Sequence, residues 1–222
     1  MGYLLRTSQG VSELVSIPDV GAASNVWSFY LDFKISEIGA GSDAGYLLST
    51  SGGSVSRVIF FDDAAGDYVI RLRIGTNYDF DVSGIDFTQR TKAEFISDGT
   101  DISLKINGVL HQTFTGGART ITSVFNRILE GPNSTLIAYD IYEVYFNSGF
   151  TQERLYNASA SGGTGSTLTD TINAQNGTLT GFPTDDSQWV FYSTGAAGPE
   201  TPINPSVTNL LATSARLNWE QG

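Results

Sequence analysis

Residues Trp27 to Ile35 carry the most restrictive pattern in the chain. Trp27, Phe29, Leu31, Phe33 and Ile35 alternate without a break with Ser28, Tyr30, Asp32 and Lys34. A period of two is the repeat of a β-strand, and the split means one buried face and one wet face. Such a strand cannot stand alone. It needs sheet neighbours on both sides and a second layer to cover its apolar face.

The same period recurs along the chain. Val11, Glu13, Val15 and Ile17 alternate weakly with Ser12, Leu14 and Ser16. Tyr68, Ile70, Leu72 and Ile74 alternate with Val69, Arg71 and Arg73; Tyr78, Phe80 and Val82 alternate with Asp79 and Asp81. Ile102, Leu104 and Ile106 alternate with Ser103 and Lys105, and Asn107-Gly108 then leads into Val109 to Phe114. Asn-Gly between two strands is the strongest short hairpin signal, because both central residues of a type I′ turn need positive φ. Thr135 to Phe146 reads as a further strand. Helix signals are scarce: Thr151 can cap a short turn through Asn157, with Leu155 and Tyr156 on its inner side. Strands separated by Gly, Ser and Asp clusters predict an all-β sandwich or barrel. The predicted core includes Trp27, Phe29, Leu31, Phe33, Leu104 and Ile106.

Composition removes several alternatives. A chain of 222 residues is long enough to bury roughly 70% of its unfolded surface. Hydrophobic residues make up 40% and charged residues 16%, which is opposite to the balance of disorder or of a coiled coil. The net charge of −11 leaves no basic surface for nucleic acid and repels an anionic membrane. No cysteine is present, so disulfides, thiolate zinc sites and cysteine nucleophiles are excluded. His111 is the single histidine, which excludes multi-histidine metal sites. Met1 to Arg6 lacks the basic start and apolar stretch of a signal peptide, and no apolar run approaches the ~20 residues of a membrane span. No membrane insertion is expected.

Composition shifts after Ser193. Residues 194–205 read as a Pro/Gly linker. Residues 206–222 resume strand character, with Ala215, Leu217 and Trp219 on one face. Two strands cannot bury a core on their own.

Four segments resemble a known family. They are Ser28-Phe29-Tyr30-Leu31-Asp32-Phe33; the Ser97-Asp98-Gly99-Thr100 to Asn107-Gly108-Val109 hairpin; Asp140 to Asn147 with the Thr151–Asn157 turn; and Asp170 to Leu179 with Trp189. Together they resemble a laminin G-like domain of the concanavalin A-like lectin/glucanase superfamily, in its bacterial and phage form. The resemblance implies an all-β jelly-roll sandwich of two antiparallel sheets over residues 1–193, with its first and last strands adjacent. Tyr142 departs from it, since the family usually has Asp there. Residues 206–222 are similar to the opening strands of a fibronectin type III domain, a fragment of a second β-sandwich.

The candidate site residues follow from chemistry. Sugar binding needs aromatic faces and polar partners for hydroxyls, which Tyr30, Tyr46, Asn77, Tyr78 and Tyr139 can supply; each tyrosine also reads as sheet packing. Asp62, Asp63 and Asp67 crowd one loop around Gly66, so Ca²⁺ is a possible cofactor, with an Asp-rich turn as the alternative. Related glucanases use a Glu-x-Asp-x-x-Glu strand, absent here. Glu143 is the strand carboxylate nearest the expected region, and Asp140, an odd number of residues away, is expected on the opposite face. Asp79 and Asp81 share a face that reads as solvated beside Arg71 and Arg73. No catalytic residue is assigned, and the chain is expected not to be an enzyme.

The expected function is a non-catalytic recognition module, binding a glycan or cell-surface ligand in a phage virion, as tail or head decoration. The expected partners are that ligand and other virion or adhesin subunits. The alternatives are a structural virion or bacterial adhesin module without glycan binding, on a cell surface, and a glycoside hydrolase.

Overall fold

The structure, a computed structural model, describes residues 2–8, 12–22, 24–38, 44–51, 56–62, 68–121, 124–130 and 137–193. The expected linker at 194–205 and the fibronectin-like segment at 206–222 lie outside the described residues.

The chain opens with β1 (Gly2–Arg6) and β2 (Leu14–Val20). The alternating segment forms the long β3 (Val26–Ile38). A meander follows: β4 (Ala44–Ser49), β5 (Ser56–Asp62), β6 (Tyr68–Ile74) and β7 (Asn77–Asp81). Next come β8 (Thr91–Asp98), β9 (Ile102–Ile106) and β10 (Val109–Phe114). Then follow β11 (Phe125–Glu130), β12 (Ile137–Phe146) and β13 (Arg154–Asn157). The last strands are β14 (Thr167–Asp170), β15 (Gly177–Thr180) and β16 (Trp189–Tyr192).

Every pairing is antiparallel, and the strands form two layers. Sheet A runs β10-β9-β8-β3-β12-β13-β14, and sheet B runs β15-β2-β11-β4-β5-β6-β7. The ladder is continuous from one layer to the other through β14 and β15. At the far side the two free edges meet through side chains. Gln112 Oε1 on β10 accepts the Asp81 N–H of β7 at 3.1 Å, and His111 Nε2 lies 2.5 Å from the Asp81 carbonyl. An all-β sandwich closed almost to a barrel leaves little edge for foreign pairing.

β12 anchors sheet A. One edge pairs with β3 from Ile137 opposite Ile38 to Phe146 opposite Phe29. Its other edge is divided between β13, from Glu143 to Phe146, and β1, at Asp140 and Ile141. β16 then pairs with β1, so the first and last described strands are adjacent, Gly2 opposite Tyr192.

The apolar faces meet as the alternation requires. Trp27, Phe29, Leu31, Phe33 and Ile35 are buried, and so are Leu104 and Ile106. The Phe29 ring lies between those of Phe95, 5.0 Å away, and Phe125, 5.5 Å away on the facing sheet. The Asn107-Gly108 turn has φ of 51° and 82°, and the Asn107 carboxamide oxygen accepts the Lys92 N–H. Asp98 accepts the N–H groups of Thr100 and Asp101 at 2.8 Å each, which shapes the turn before β9.

One local expectation is corrected. Thr151 to Asn157 forms no helical turn; Arg154–Asn157 is β13, with Tyr156 opposite Val144 and fully buried. The helical turn is a short 3-10 segment at Ser159–Ser161. Sheet pairing overrides local propensity here, because the edge of β12 would otherwise be left unpaired.

Candidate functional site

The five candidate ligand residues divide among three places. Tyr30 projects from the outer face of sheet A. Its hydroxyl donates to Glu143 at 3.1 Å, and the Lys92 ammonium lies 3.5 Å from its ring centre. Burial, then the Glu143 charge, pushes its phenol far above the ordinary range. Tyr78 and Tyr139 lie in the core, which corrects the expectation of a sugar-facing role for both. Tyr78 is 5% exposed and donates to the Gly117 carbonyl at 2.7 Å. Tyr139 is 4% exposed, and its hydroxyl end occupies the space that a Cβ on Gly45 would need.

Tyr46 and Asn77 share the outer face of sheet B, and the strand register shows what stands between them. Tyr46 on β4 is opposite Ile59 on β5; Ile59 is opposite Arg71 on β6, and Arg71 is opposite Asp79 on β7. The neighbouring row is more basic. Arg127 on β11 lies between Ser16 of β2 and Ser49 of β4. Two strands further on, Arg57 faces Arg73, and Arg73 faces Asn77. The reason is the alternation itself: Val58, Phe60, Ile70 and Leu72 point into the core, so the arginines beside them point out.

Several of these groups are held in place. The Arg71 guanidinium grips Asp79 through Nε and Nη2, at 2.5 and 2.7 Å, and that bond raises the Arg71 pKa. Arg57 Nη1 donates to the Tyr46 hydroxyl at 2.9 Å, and its guanidinium carbon lies 4.9 Å from the Tyr46 ring centre. Tyr46 therefore positions an arginine as much as it presents a ring. Asp81 accepts hydrogen bonds from Ser83, which hold its carboxyl below the ordinary range.

Arg57, Ile59 and Arg127 carry no clear signal in the sequence. The Ser56–Asp62 segment reads Ser-Arg-Val-Ile-Phe-Phe-Asp, where apolar residues at both parities blur the outward face. Cross-strand neighbours also depend on a register that no single strand states.

Asp140 and Glu143 need a correction as well. β12 carries an extra residue, Tyr142, between Ile141 opposite Phe33 and Glu143 opposite Asp32. The bulge reverses the parity, so both carboxylates lie on the outer side of sheet A. Each is engaged by its own partners. Asp140 is fully buried against Arg6 and Lys34, at 2.6 and 3.3 Å, and Glu143 accepts from Tyr30 and Asn157. Tyr142 itself is buried against Leu4 and Tyr192, with the Arg90 guanidinium 4.1 Å above its ring.

The calcium expectation falls on the connection from β5 to β6. Asp63, Asp67 and the side chain of Asp62 lie outside the described residues. Among the described residues no three His, Cys, Asp or Glu side chains cluster as a metal site would.

No protein-family model and no curated protein sequence matches the chain. Among solved structures it is similar to a galectin of Caenorhabditis elegans, at 16% identity and a TM-score of 0.41, over 66% of this chain and 96% of the galectin. It is also similar to an alginate lyase of polysaccharide lyase family 7, at 12% identity and a TM-score of 0.38, over 63% of each chain. A structure relating botulinum neurotoxin type C to two ganglioside molecules matches at 11% identity and a TM-score of 0.42. That match covers 56% of this chain, which spans about a third of the neurotoxin chain, 32%. The fold assignment rests on the strand pairing described above.

Proposed function

We propose that the domain is a non-catalytic glycan-recognition module and that the outer face of sheet B is its binding surface. One observation carries this reading: Arg57, Arg73 and Asn77 stand in register on three adjacent strands, beside Tyr46 and Ile59. Guanidinium and carboxamide groups donate to sugar hydroxyls, and Tyr46 with Ile59 offers apolar contact to a sugar ring. The backbone beneath is a paired sheet, so the groups are presented on a rigid support.

The reading is non-catalytic because Asp79 is engaged by Arg71 and Asp81 accepts from the Ser83 N–H. Hydrolysis needs one carboxylic acid kept protonated beside a second carboxylate. In context, the module serves a phage virion as tail or head decoration, with a bacterial surface adhesin as the alternative. The support for that context is the resemblance of the sequence segments.

The test is binding of a glycan panel to the purified chain, with Asn77→Ala and Arg73→Ala as variants. Wild-type binding that falls at least fivefold in both variants is the expected result. Binding to no glycan would favour a purely structural module. Release of reducing sugar from any bound glycan would end the non-catalytic reading.

A further inference from the structure

We infer that the cleft between the start of β14 and the β15–β16 connection is a second saccharide site, which takes one neutral hexose unit. The inference rests on the glycan-recognition reading for the kind of ligand, and it adds a site away from the outer face of sheet B.

The cleft itself is the first observation. Its volume is about 420 Å³, and its walls include Ser166, Leu179, Phe182, Thr184, Asp186 and Gln188. Small-molecule sites run from about 300 to 1,000 Å³. Leu179 belongs to the core and Phe182 packs against it, so one wall is apolar and fixed. The C–H face of a sugar ring packs on such a wall.

An unpartnered acceptor is the second. Gln188 is 4% exposed, and its Oε1 is buried with no hydrogen-bond partner among the described residues. The other end of the carboxamide fixes its orientation. Nε2 donates to the Gly165 carbonyl at 3.2 Å, and the Trp189 indole N–H donates to the same oxygen at 2.9 Å. Turning the carboxamide over would set two oxygens against each other, so Oε1 is the atom left without a donor. A buried acceptor left unpaired costs stability, and a ligand hydroxyl that reaches it removes that penalty.

Polarity is the third. Asp186 Oδ1 accepts the Gly165 N–H at 2.7 Å, and the Asp186 carbonyl accepts the Trp189 N–H at 3.0 Å. These bonds hold Asp186 at a φ of 64°, in the left-handed region that aspartate tolerates better than most residues. They leave Oδ2 without a partner among the described residues, and the Ser166 and Thr184 hydroxyls are free in the same sense. The open side-chain groups are therefore acceptors and hydroxyls, and no lysine or arginine lines the cleft. Asp185, exposed beside it, adds a further carboxylate. Such a set accepts from the hydroxyls of a neutral sugar and repels a uronate or a sulfated sugar.

The experiment is a titration of the isotope-labelled full chain with the methyl glycosides of glucose, galactose and mannose, with methyl galacturonoside and with glucosamine. It is followed through the Gln188 carboxamide and Trp189 indole N–H signals, since both groups share the Gly165 carbonyl. At least one neutral glycoside is expected to shift both signals saturably at millimolar concentration, and the uronate to shift neither. Asp186→Asn keeps an oxygen for the Gly165 N–H but puts a donor where the free acceptor stood, and should weaken binding about fivefold or more. Ser166→Ala, at an exposed position that the fold does not depend on, should weaken it about twofold or more. Unchanged affinity in both variants overturns the inference. Equal shifts by the uronate, or shifts by glucosamine and by no neutral glycoside, overturn the neutral-sugar assignment. Glycans that bind without moving either signal overturn the cleft site and leave the outer face of sheet B standing. Binding of no saccharide removes the glycan-recognition reading itself.

Discussion

Arg6 closes both oxygens of Asp140, Nε at 2.6 Å and Nη2 at 2.8 Å, although the carboxylate is wholly buried. The pair ties β1 to β12 where backbone pairing between them is short. Lys34 adds a second cation at 3.3 Å. Removing one partner of a buried pair leaves an uncompensated charge. Arg6→Ala should therefore cost about 2 to 4 kcal/mol in urea unfolding. A loss under about 0.5 kcal/mol, the range of ordinary surface changes, would mean that water reaches Asp140 and stands in for the guanidinium.

Tyr139 should respond in the opposite direction. Its hydroxyl is buried and has no hydrogen-bond partner among the described residues, and burial raises its pKa far out of the ordinary range. Tyr139→Phe removes an unsatisfied polar group and should stabilise the fold by about 1 kcal/mol. A methyl group at Gly45 would overlap that hydroxyl, so Gly45→Ala should cost about 1 to 3 kcal/mol. Part of that cost should disappear in the Tyr139→Phe background. Strictly additive melting shifts would show that the two residues do not touch.

Tyr145 gives a prediction at alkaline pH. Its hydroxyl donates to Glu153, and this bond, with burial second, pushes its pKa from 10 up to about 12. Because the folded value is raised, the protonated phenol contributes stability that is complete below pH 10 and is lost as the pH rises through 12. Melting temperature followed from pH 9 to pH 12 should fall less steeply for Tyr145→Phe than for the wild type. Parallel curves would contradict the Glu153 bond.

Tyr46→Phe separates two roles in the proposed site. The ring stays, and the acceptor for Arg57 Nη1 goes. One hydrogen bond is worth about 0.5 to 1.5 kcal/mol, so glycan affinity should drop roughly twofold to tenfold with the melting temperature almost unchanged. Unaltered affinity would assign Tyr46 a purely stacking role.

Much of the scaffold is legible residue by residue. The Trp27–Ile35 alternation and the Asn107-Gly108 turn each state a local geometry that the backbone obeys. Glu13, which shares the parity of Val15 and Ile17, is buried with them as that parity requires. What a single sequence does not state is where parity breaks. Tyr142 gives no local sign of being an extra residue, yet it turns Asp140 and Glu143 onto one side. The proposed site was half visible for the same reason. Tyr46 and Asn77 have side-chain chemistry that can be recognised alone, whereas Arg57 gains its meaning from Arg73, sixteen strand and loop positions later but directly opposite in the sheet. Tyr78 and Tyr139 show the converse: tyrosine at an inward parity is core, whatever its hydroxyl could do elsewhere.

The β1–β16 pairing gives the domain a built-in response to tension. Gly2 lies opposite Tyr192, so the two strands enter and leave the sandwich at a single point on its edge. A pull on the flanking segments loads that point first, and the hydrogen bonds from Gly2–Tyr192 to Leu5–Trp189 yield one after another, as in a zip, instead of resisting together in shear. The next bonds in line are those of β1 to β12, reinforced by the Arg6–Asp140 pair. The seam can thus lengthen under load while the ladder from β10 to β7 keeps its pairing and its outward row of arginines.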